Sequence, residues 1–583
     1  MKRFVFIMAL CAMSIVSCQR EFEEHYVDKR LINTVDSLVF NPIKPPFPIS
    51  LELDSIVLVR QLNNPYAVSN MRAAYDIVAP IMLEAGISKD DITTTHFYIK
   101  FNPLNLNELQ ELKEQYHLAE FYEYPLDYEI RGQYSYHDPA LPDSIPTYQY
   151  AAIDSLSWCS TPQLPINYDI LERLYIPDED IIDDTTMSLL NSGTNKTNAI
   201  EALVSQALLL TGNNEDTDEE GNTIMSSNEE WIPAGRITVY DNIVNDQIPL
   251  VGVKVRARRW FTTHIGYTNE NGYYTCDGTF KRPANYSIIW EGDGWNIRNG
   301  LVVQAYHNGP KKCGDWNLDI PEGHSKTLYY ATIHRAAHRF IKGNTYGLTR
   351  PNPAFIENIS YLESEGSNHG IYYLEWGGDL FGDIRIRGKS EGLYRTVQQV
   401  LSTTFHELAH ASHYTNNIVR FVTSQRIIQE SWADFVRYYL TLMEYTELGC
   451  QDILFPDIYI EPVTSDPLAI GLICKEPNYL NRQDWVAAID SFYTPLFIDL
   501  MDTDNQRTRA IISEEDSWNL FPNDGISHFT AEMIEDIAYN IRTVDQMKEY
   551  IIDNYLPTYG PDLYYGLNHS SINNYFSVYE ELY

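Results

Sequence analysis

At 583 residues, 44% of them hydrophobic, the chain is longer than one core usually organises and has enough apolar residues to fold as several domains. Its 80 Asp and Glu against 42 Lys and Arg give a formal charge of −38. A surface of that sign repels phosphate backbones and argues against nucleic acid as a partner.

Residues 1–17 begin with Lys2 and Arg3 and continue in an apolar run from Phe4 to Val16, the pattern of a secretory signal too short to span a membrane. The run ends in Ile15-Val16-Ser17-Cys18. These four residues resemble a bacterial lipobox, which implies cleavage before Cys18, lipidation of that cysteine, and an exported chain tethered to the outer membrane. The acid-rich Gln19-Arg20-Glu21-Phe22-Glu23-Glu24 is similar to runs that direct surface display in some lipoproteins. Residues 18–60, Pro-rich around Asn41 to Pro48, read as a tether and extended linker.

Residues 61–167 read as a small α/β domain. A helical pattern follows Asn64-Pro65, Thr95 to Phe101 alternates as a strand, Asn105 to Tyr116 places Leu106, Leu109 and Leu112 on one helical face, and Ala119 to Tyr124 is expected to be a second strand. Residues 168–231 are acidic and interrupted, with one helix at Ala199 to Leu210. Their aspartates do not match the EF-hand spacing and read as a solvated linker. Of the cysteines beyond Cys18, Cys276 with Cys313 and Cys450 with Cys474 are possible disulfides in an exported protein, leaving Cys159 over.

From 232 to 310 the pattern changes to short β-type runs separated by turn signals such as Asn269-Glu270-Asn271-Gly272. Pro249 to Val255, Gly266-Tyr267-Thr268 and Asn271-Gly272-Tyr273-Tyr274 resemble the carboxypeptidase-regulatory-like family. That resemblance implies a transthyretin-like β-sandwich that supports its neighbours and carries no chemistry.

Residues 311–583 hold the chemistry. Ser325 can cap a helix over Lys326 to Ile341, whose His334 and His338 lack a following glutamate and read as packing residues. Asp383 to Arg387 alternates as a strand. A long helix is expected from near Glu391. On it, Leu393, Val397, Leu401, Phe405 and Leu408 form the core stripe, and His406, His410 and His413 share the opposite face, open to a cleft. Histidines at i and i+4, about 5–6 Å apart at Cβ, can converge on one cation. Glu407 between them can take a proton from a metal-bound water. A catalytic zinc needs a third protein ligand, for which Glu430 is the candidate. Asp434, one turn further, can accept the other N–H of His406.

His406-Glu407-Leu408-Ala409-His410 followed by Glu430-Ser431-Trp432-Ala433-Asp434 resembles the gluzincin metallopeptidases, the thermolysin-like class. The resemblance implies Zn2+ on His406, His410 and Glu430, Glu407 as general base, Asp434 orienting His406, and a peptide or protein substrate laid along an edge strand at Asp383 to Arg387. Tyr414, His413, Tyr493 and His528 stay open as donors to the oxyanion. Helical segments at Trp485–Asp499, Thr530–Tyr539 and Asp545–Asn554 are expected to form a subdomain closing the cleft. The whole is therefore expected to be a multidomain α+β protein, a lipid-anchored zinc peptidase. The competing reading is a surface-binding lipoprotein with an inactive peptidase-like fold that holds glycan or protein.

Overall fold

The computed structural model describes residues 54–177, 192–217, 223–224, 229–352, 357–364, 370–373, 383–390, 392–450, 494–503, 505 and 522–582. The leader at 1–17, Cys18, the run 178–180, Glu391, Cys474 and Tyr493 lie outside these residues, as do 485–493 of the helix expected at Trp485–Asp499, whose described remainder, 494–499, forms a bend and turns and not a helix. The chain is a multidomain α+β protein with several separate sheets. Among the described residues no helix is long and apolar enough to cross a membrane.

The N-terminal unit comprises β1 (Val57–Gln61), α1 (Val68–Glu84), β2 (His96–Asn102), α2 (Leu106–Gln115), β3 (Tyr128–Arg131), β4 (Gln149–Asp154) and β5 (Asn167–Leu174), with α3 (Ser192–Leu210) packed on α1. Strand β2 lies between β4 and β5, both antiparallel to it, and β1 pairs with β3. Asn105 starts α2 by accepting the Glu108 N–H at 2.9 Å. Ala119 to Tyr124 does not form the expected strand. Only Tyr122 bridges to Tyr150, and β4 takes the place beside β2. The segment is instead wedged against the sandwich, where Arg256 Nη1 donates to the Phe121 carbonyl and, two residues past its end, Arg258 Nη1 donates to the Leu126 carbonyl, each at 3.3 Å.

The sandwich holds β6 (Ala234–Asp241), β7 (Asp246–Pro249), β8 (Lys254–Arg259), β9 (Thr262–Tyr267), β10 (Tyr273–Thr275) and β11 (Ala284–Ile289). Side chains alternate across β8. Val255 and Ala257 enter the sandwich core, while Lys254, Arg256 and Arg258 reach the N-terminal unit, Lys254 pairing with Glu120 at 2.8 Å. The chain then leaves the sandwich as β12 (Trp295–Asn299) and returns as β13 (Tyr306–Lys312) beside β11 and β14 (Leu318–Ile320) beside β6. Sandwich and C-terminal region are thus interleaved around residue 310. Cys276 and Cys313 are free thiols, so the disulfide expected between them is absent.

After α4 (Lys326–Ile341), capped by Ser325 at 3.2 Å to the Leu328 N–H, come β15 (Glu357–Leu362), β16 (Gly370–Tyr373) and β17 (Asp383–Arg387). The central strands of the sheet run β12-β15-β17-β16; β12, β15 and β17 are parallel, while β16 and the short strands Glu291–Gly292 and Val303–Gln304 beside β12 are antiparallel to their neighbours. Asp383 to Arg387 is therefore not an edge strand: β15 and β16 occupy both its sides, and among the described residues the edge belongs to β16. His334 packs between Trp290 and Trp295, with Nε2 2.9 Å from the Val251 carbonyl, as a packing histidine should. The neighbouring Gly252, at φ +75°, has no room for a Cβ, which would meet the His338 ring at 2.3 Å.

The helices that follow are α5 (Val397–Asn416), α6 (Ile418–Thr423), α7 (Arg426–Glu447), α8 (Ala531–Asn540), α9 (Val544–Tyr550) and α10 (His569–Leu582). One continuous core runs from the sandwich through α4, α5 and α7 to α10. A second joins the N-terminal unit to Trp260, Ile289 and Tyr306 of the sandwich.

Candidate metal centre

Helix α5 begins at Val397, not near Glu391. Thr396 and Gln399 form a capping box there, at 3.3 and 3.0 Å, and Leu393–Tyr394 pairs with Lys389–Ser390 instead of joining the helix. Arg395 fixes this start to the sheet and the helix by donating to the Arg387 carbonyl at 3.1 Å and to Thr403 Oγ1 at 2.5 Å. The helix is buried on every side from Val400 to His413, including the face expected to open on a cleft: His406 is 3% exposed, Glu407 1% and His410 0%. Helix α7 packs along it, and β16 lies across it. Buried polar groups at such a density need partners or a ligand.

The structure brings His406, His410 and Glu430 together. His406 Nε2 and His410 Nε2 are 3.2 Å apart, and each is 3.4 Å from Glu430 Oε2. A tetrahedral zinc with bonds of about 2.0–2.1 Å has ligand–ligand edges of about 3.3–3.4 Å, so these atoms match one face of that tetrahedron. Two imidazoles and one carboxylate are also a donor set zinc accepts, and the residues fit the ion.

The surrounding groups are arranged by the same two helices. Asp434, fully buried, lies 3.3 Å from His406 Nδ1, leaving Nε2 to face His410 and Glu430. Arg437, one turn further on α7, sits 3.5 Å from Asp434, and Arg426, one turn before Glu430, sits 3.6 Å from its Oε1. The acidic pair on α7 is thus bracketed by arginines. Burial alone would lower the His406 pKa, but hydrogen bonding to Asp434 and Glu430 pushes it up to about 9. Burial would raise Glu430, yet the charge of His410 and its bonds to both histidines hold it well below the usual carboxylate range. Burial dominates at Glu407, with the Glu430 charge adding to it, and raises its pKa. Glu407 Oε2 has no hydrogen-bond partner among the described residues.

Gly370 and Tyr372 of β16 are contributors that sequence reading missed. A Cβ on Gly370 would stand 2.5 Å from Glu407 Oε1 and 2.7 Å from the Thr403 methyl, so only glycine allows β16 to close over the carboxylate. Tyr372 stacks on His410 at 6.4 Å and 22°. No local signal marks either residue, because β16 reaches α5 only through the sheet. Arg437 was findable, since it lies at i+3 from Asp434 and i+7 from Glu430 on one helical face. Gly370→Ala is expected to push Glu407 and Thr403 away from β16 and to cost about 1–3 kcal/mol of stability, read as a lower denaturant midpoint. An unchanged midpoint would show that β16 does not press on Glu407.

Of the four oxyanion candidates, His413 is fully buried between Tyr539 (4.9 Å) and Phe421 (5.2 Å), and burial pushes its pKa down to about 3. It is packing, because it points into the α8 contact. Tyr414 meets the edges of Tyr372 and Phe421 at 6.0 and 5.7 Å, and His528 lies on Tyr564 at 3.8 Å.

Together these features make a buried, two-helix His-His-Glu cluster that could hold a cation, with an adjacent carboxylate and strand β16 over it. The chain matches no protein-family model, no curated protein and no solved structure.

Proposed function

We propose that the chain is a zinc-dependent peptidase of gluzincin type. The observation that carries this reading is the triangle of His406, His410 and Glu430 ligand atoms beside a carboxylate whose Oε2 has no partner among the described residues. Zinc held by these three residues would lower the pKa of a bound water toward about 7 and polarise a scissile carbonyl. Glu407 accepts the water proton on Oε2 and delivers it to the leaving amine. Asp434 holds the His406 tautomer, with Arg437 steadying Asp434. An extended substrate adds to β16, whose outer side takes no strand partner among the described residues.

In this reading the chain is exported and held at the outer membrane by lipid on Cys18, which rests on residues 1–24. The alternative, an inactive peptidase-like lipoprotein that holds glycan or protein, is disfavoured because binding alone has no use for Glu407. Metal analysis of the purified full chain is expected to find one zinc per chain, lost on Glu430→Ala, and a chelator is expected to stop cleavage of a peptide library until zinc is restored. Absence of stoichiometric zinc, or cleavage indifferent to the chelator, would falsify the reading.

A further inference from the structure

The N-terminal unit contains a cleft of about 840 Å³, remote in sequence from the metal helices. It lies among the end of β1, the start of α1, the middle of β2, the loop before β3, and the ends of β5 and α3. The volume falls in the ~300–1,000 Å³ range of small-ligand clefts.

Its lining has an unusual chemistry for a surface depression. Carboxamides come from Gln61, Asn64 and Asn70, charges from Lys100, Asp127 and Glu172, and ring surface from Tyr98, Tyr128 and Tyr150. Several of these groups are locked in place. Tyr98 is buried, accepts the Leu126 N–H at 2.8 Å and donates to Asp127 Oδ1 at 2.9 Å, while Gln61 Nε2 donates to Asp127 Oδ2 at 2.9 Å. Asn64 Oδ1 accepts the Tyr66 N–H at 2.9 Å, and Asn70 Nδ2 donates to the Asn64 carbonyl at 2.7 Å. These bonds orient each amide yet leave the Asn64 Nδ2 donor and the Asn70 and Gln61 Oε/Oδ acceptors without a partner among the described residues.

Ligand classes can be sorted by what this lining offers. Lys100 is outnumbered by Asp127 and Glu172, and its Nζ sits 3.5 Å over the Tyr148 ring, which disfavours a phosphate or other anion. The carboxylates gather no metal-binding cluster there: among the described residues only His406, His410 and Glu430 do so. A wholly apolar ligand would strand the amides. Groups that both donate and accept beside tyrosine faces suit a molecule with vicinal hydroxyls on one side and C–H surface on the other. We propose that this cleft binds an uncharged polyhydroxylated ligand, a neutral oligosaccharide, independently of the metal site.

The test is calorimetric titration of the full chain with malto-, cello-, xylo-, manno- and chito-oligosaccharides, with N-acetylated, C-amidated tetra-alanine as a neutral peptide control. At least one sugar should bind saturably. Ser69→Trp, which blocks the mouth from an exposed position, and Asn70→Ala should each weaken it about tenfold or more. Glu407→Gln should leave the affinity unchanged. The proposal is overturned if no sugar binds, if Ser69→Trp leaves binding intact, or if the blocked peptide occupies the cleft in place of any sugar.

Discussion

In the zinc peptidase we propose, replacing Glu407 by Gln is expected to slow peptide hydrolysis by orders of magnitude without loss of zinc. The carboxamide is nearly isosteric, so β16 can still close over residue 407, and the triangle of His406, His410 and Glu430 is untouched. What disappears is the proton acceptor. General acid–base catalysis is worth on the order of 10²–10⁴ in rate, and a buried amide cannot substitute for it. The expected signature is a fall of that size in kcat with KM and metal content within error of the parent chain. A variant that still cleaves at the parental rate would move the proton transfer to another group. One that loses zinc as well would place Glu407 among the ligands.

The largest stability effect is expected at Arg335, on α4. Its Nη1 lies 2.6 Å from Asp241 of the sandwich and its Nε 2.7 Å from Glu444 of α7, all three side chains being buried. Arg339 also reaches Glu444, at 2.6 Å, and Tyr445 donates to Asp241 at 2.9 Å. One guanidinium therefore ties the sandwich to the helix that carries Glu430 and Asp434. Removing a single partner from a buried pair leaves an uncompensated charge, so Arg335→Met should cost about 3–5 kcal/mol, read as a lower denaturant midpoint.

The pH dependence of that deficit has a definite sign. Burial would raise Asp241 and Glu444, but Arg335, joined by Arg339 at Glu444, lowers them below their ordinary 3.8 and 4.5. Groups with depressed native pKa values stabilise the fold above the unfolded values and lose that contribution as pH falls through the native ones. In Arg335→Met the remaining burial acts to raise both carboxyls, above all Asp241, so the deficit against the parent chain should be full near neutrality, begin to shrink as pH falls through those raised values, and go on shrinking below the ordinary 3.8 and 4.5. A deficit that grows on acidification would show that the carboxylates are not paired with Arg335.

The fold was legible in proportion to how local its causes were. The caps at Asn105, Ser325 and Thr530, and the extents of α2 and α4, follow from neighbouring residues, because a cap is a bond across three positions. Ala119 to Tyr124 carries the composition of a strand, yet its Phe121 carbonyl accepts from an arginine more than a hundred positions away and only Tyr122 bridges to another strand. The alternation of Asp383 to Arg387 identifies a strand but says nothing about how many partners it has.

The candidate site divides along the same line. The spacing of His406, Glu407 and His410, and of Glu430, Asp434 and Arg437, determined which side chains share a helical face, since 3.6 residues per turn is a property of the backbone alone. Sequence by itself therefore determined the candidate ligand set and its acidic neighbour. Only the tertiary structure decided that the two faces meet within 3.4 Å, that they are buried, and that the strand over Glu407 is β16, brought close by the missing side chain of Gly370. Those outcomes depend on strand order and helix packing, where contacts between distant residues are chosen by complementarity of shape and burial that no local window contains.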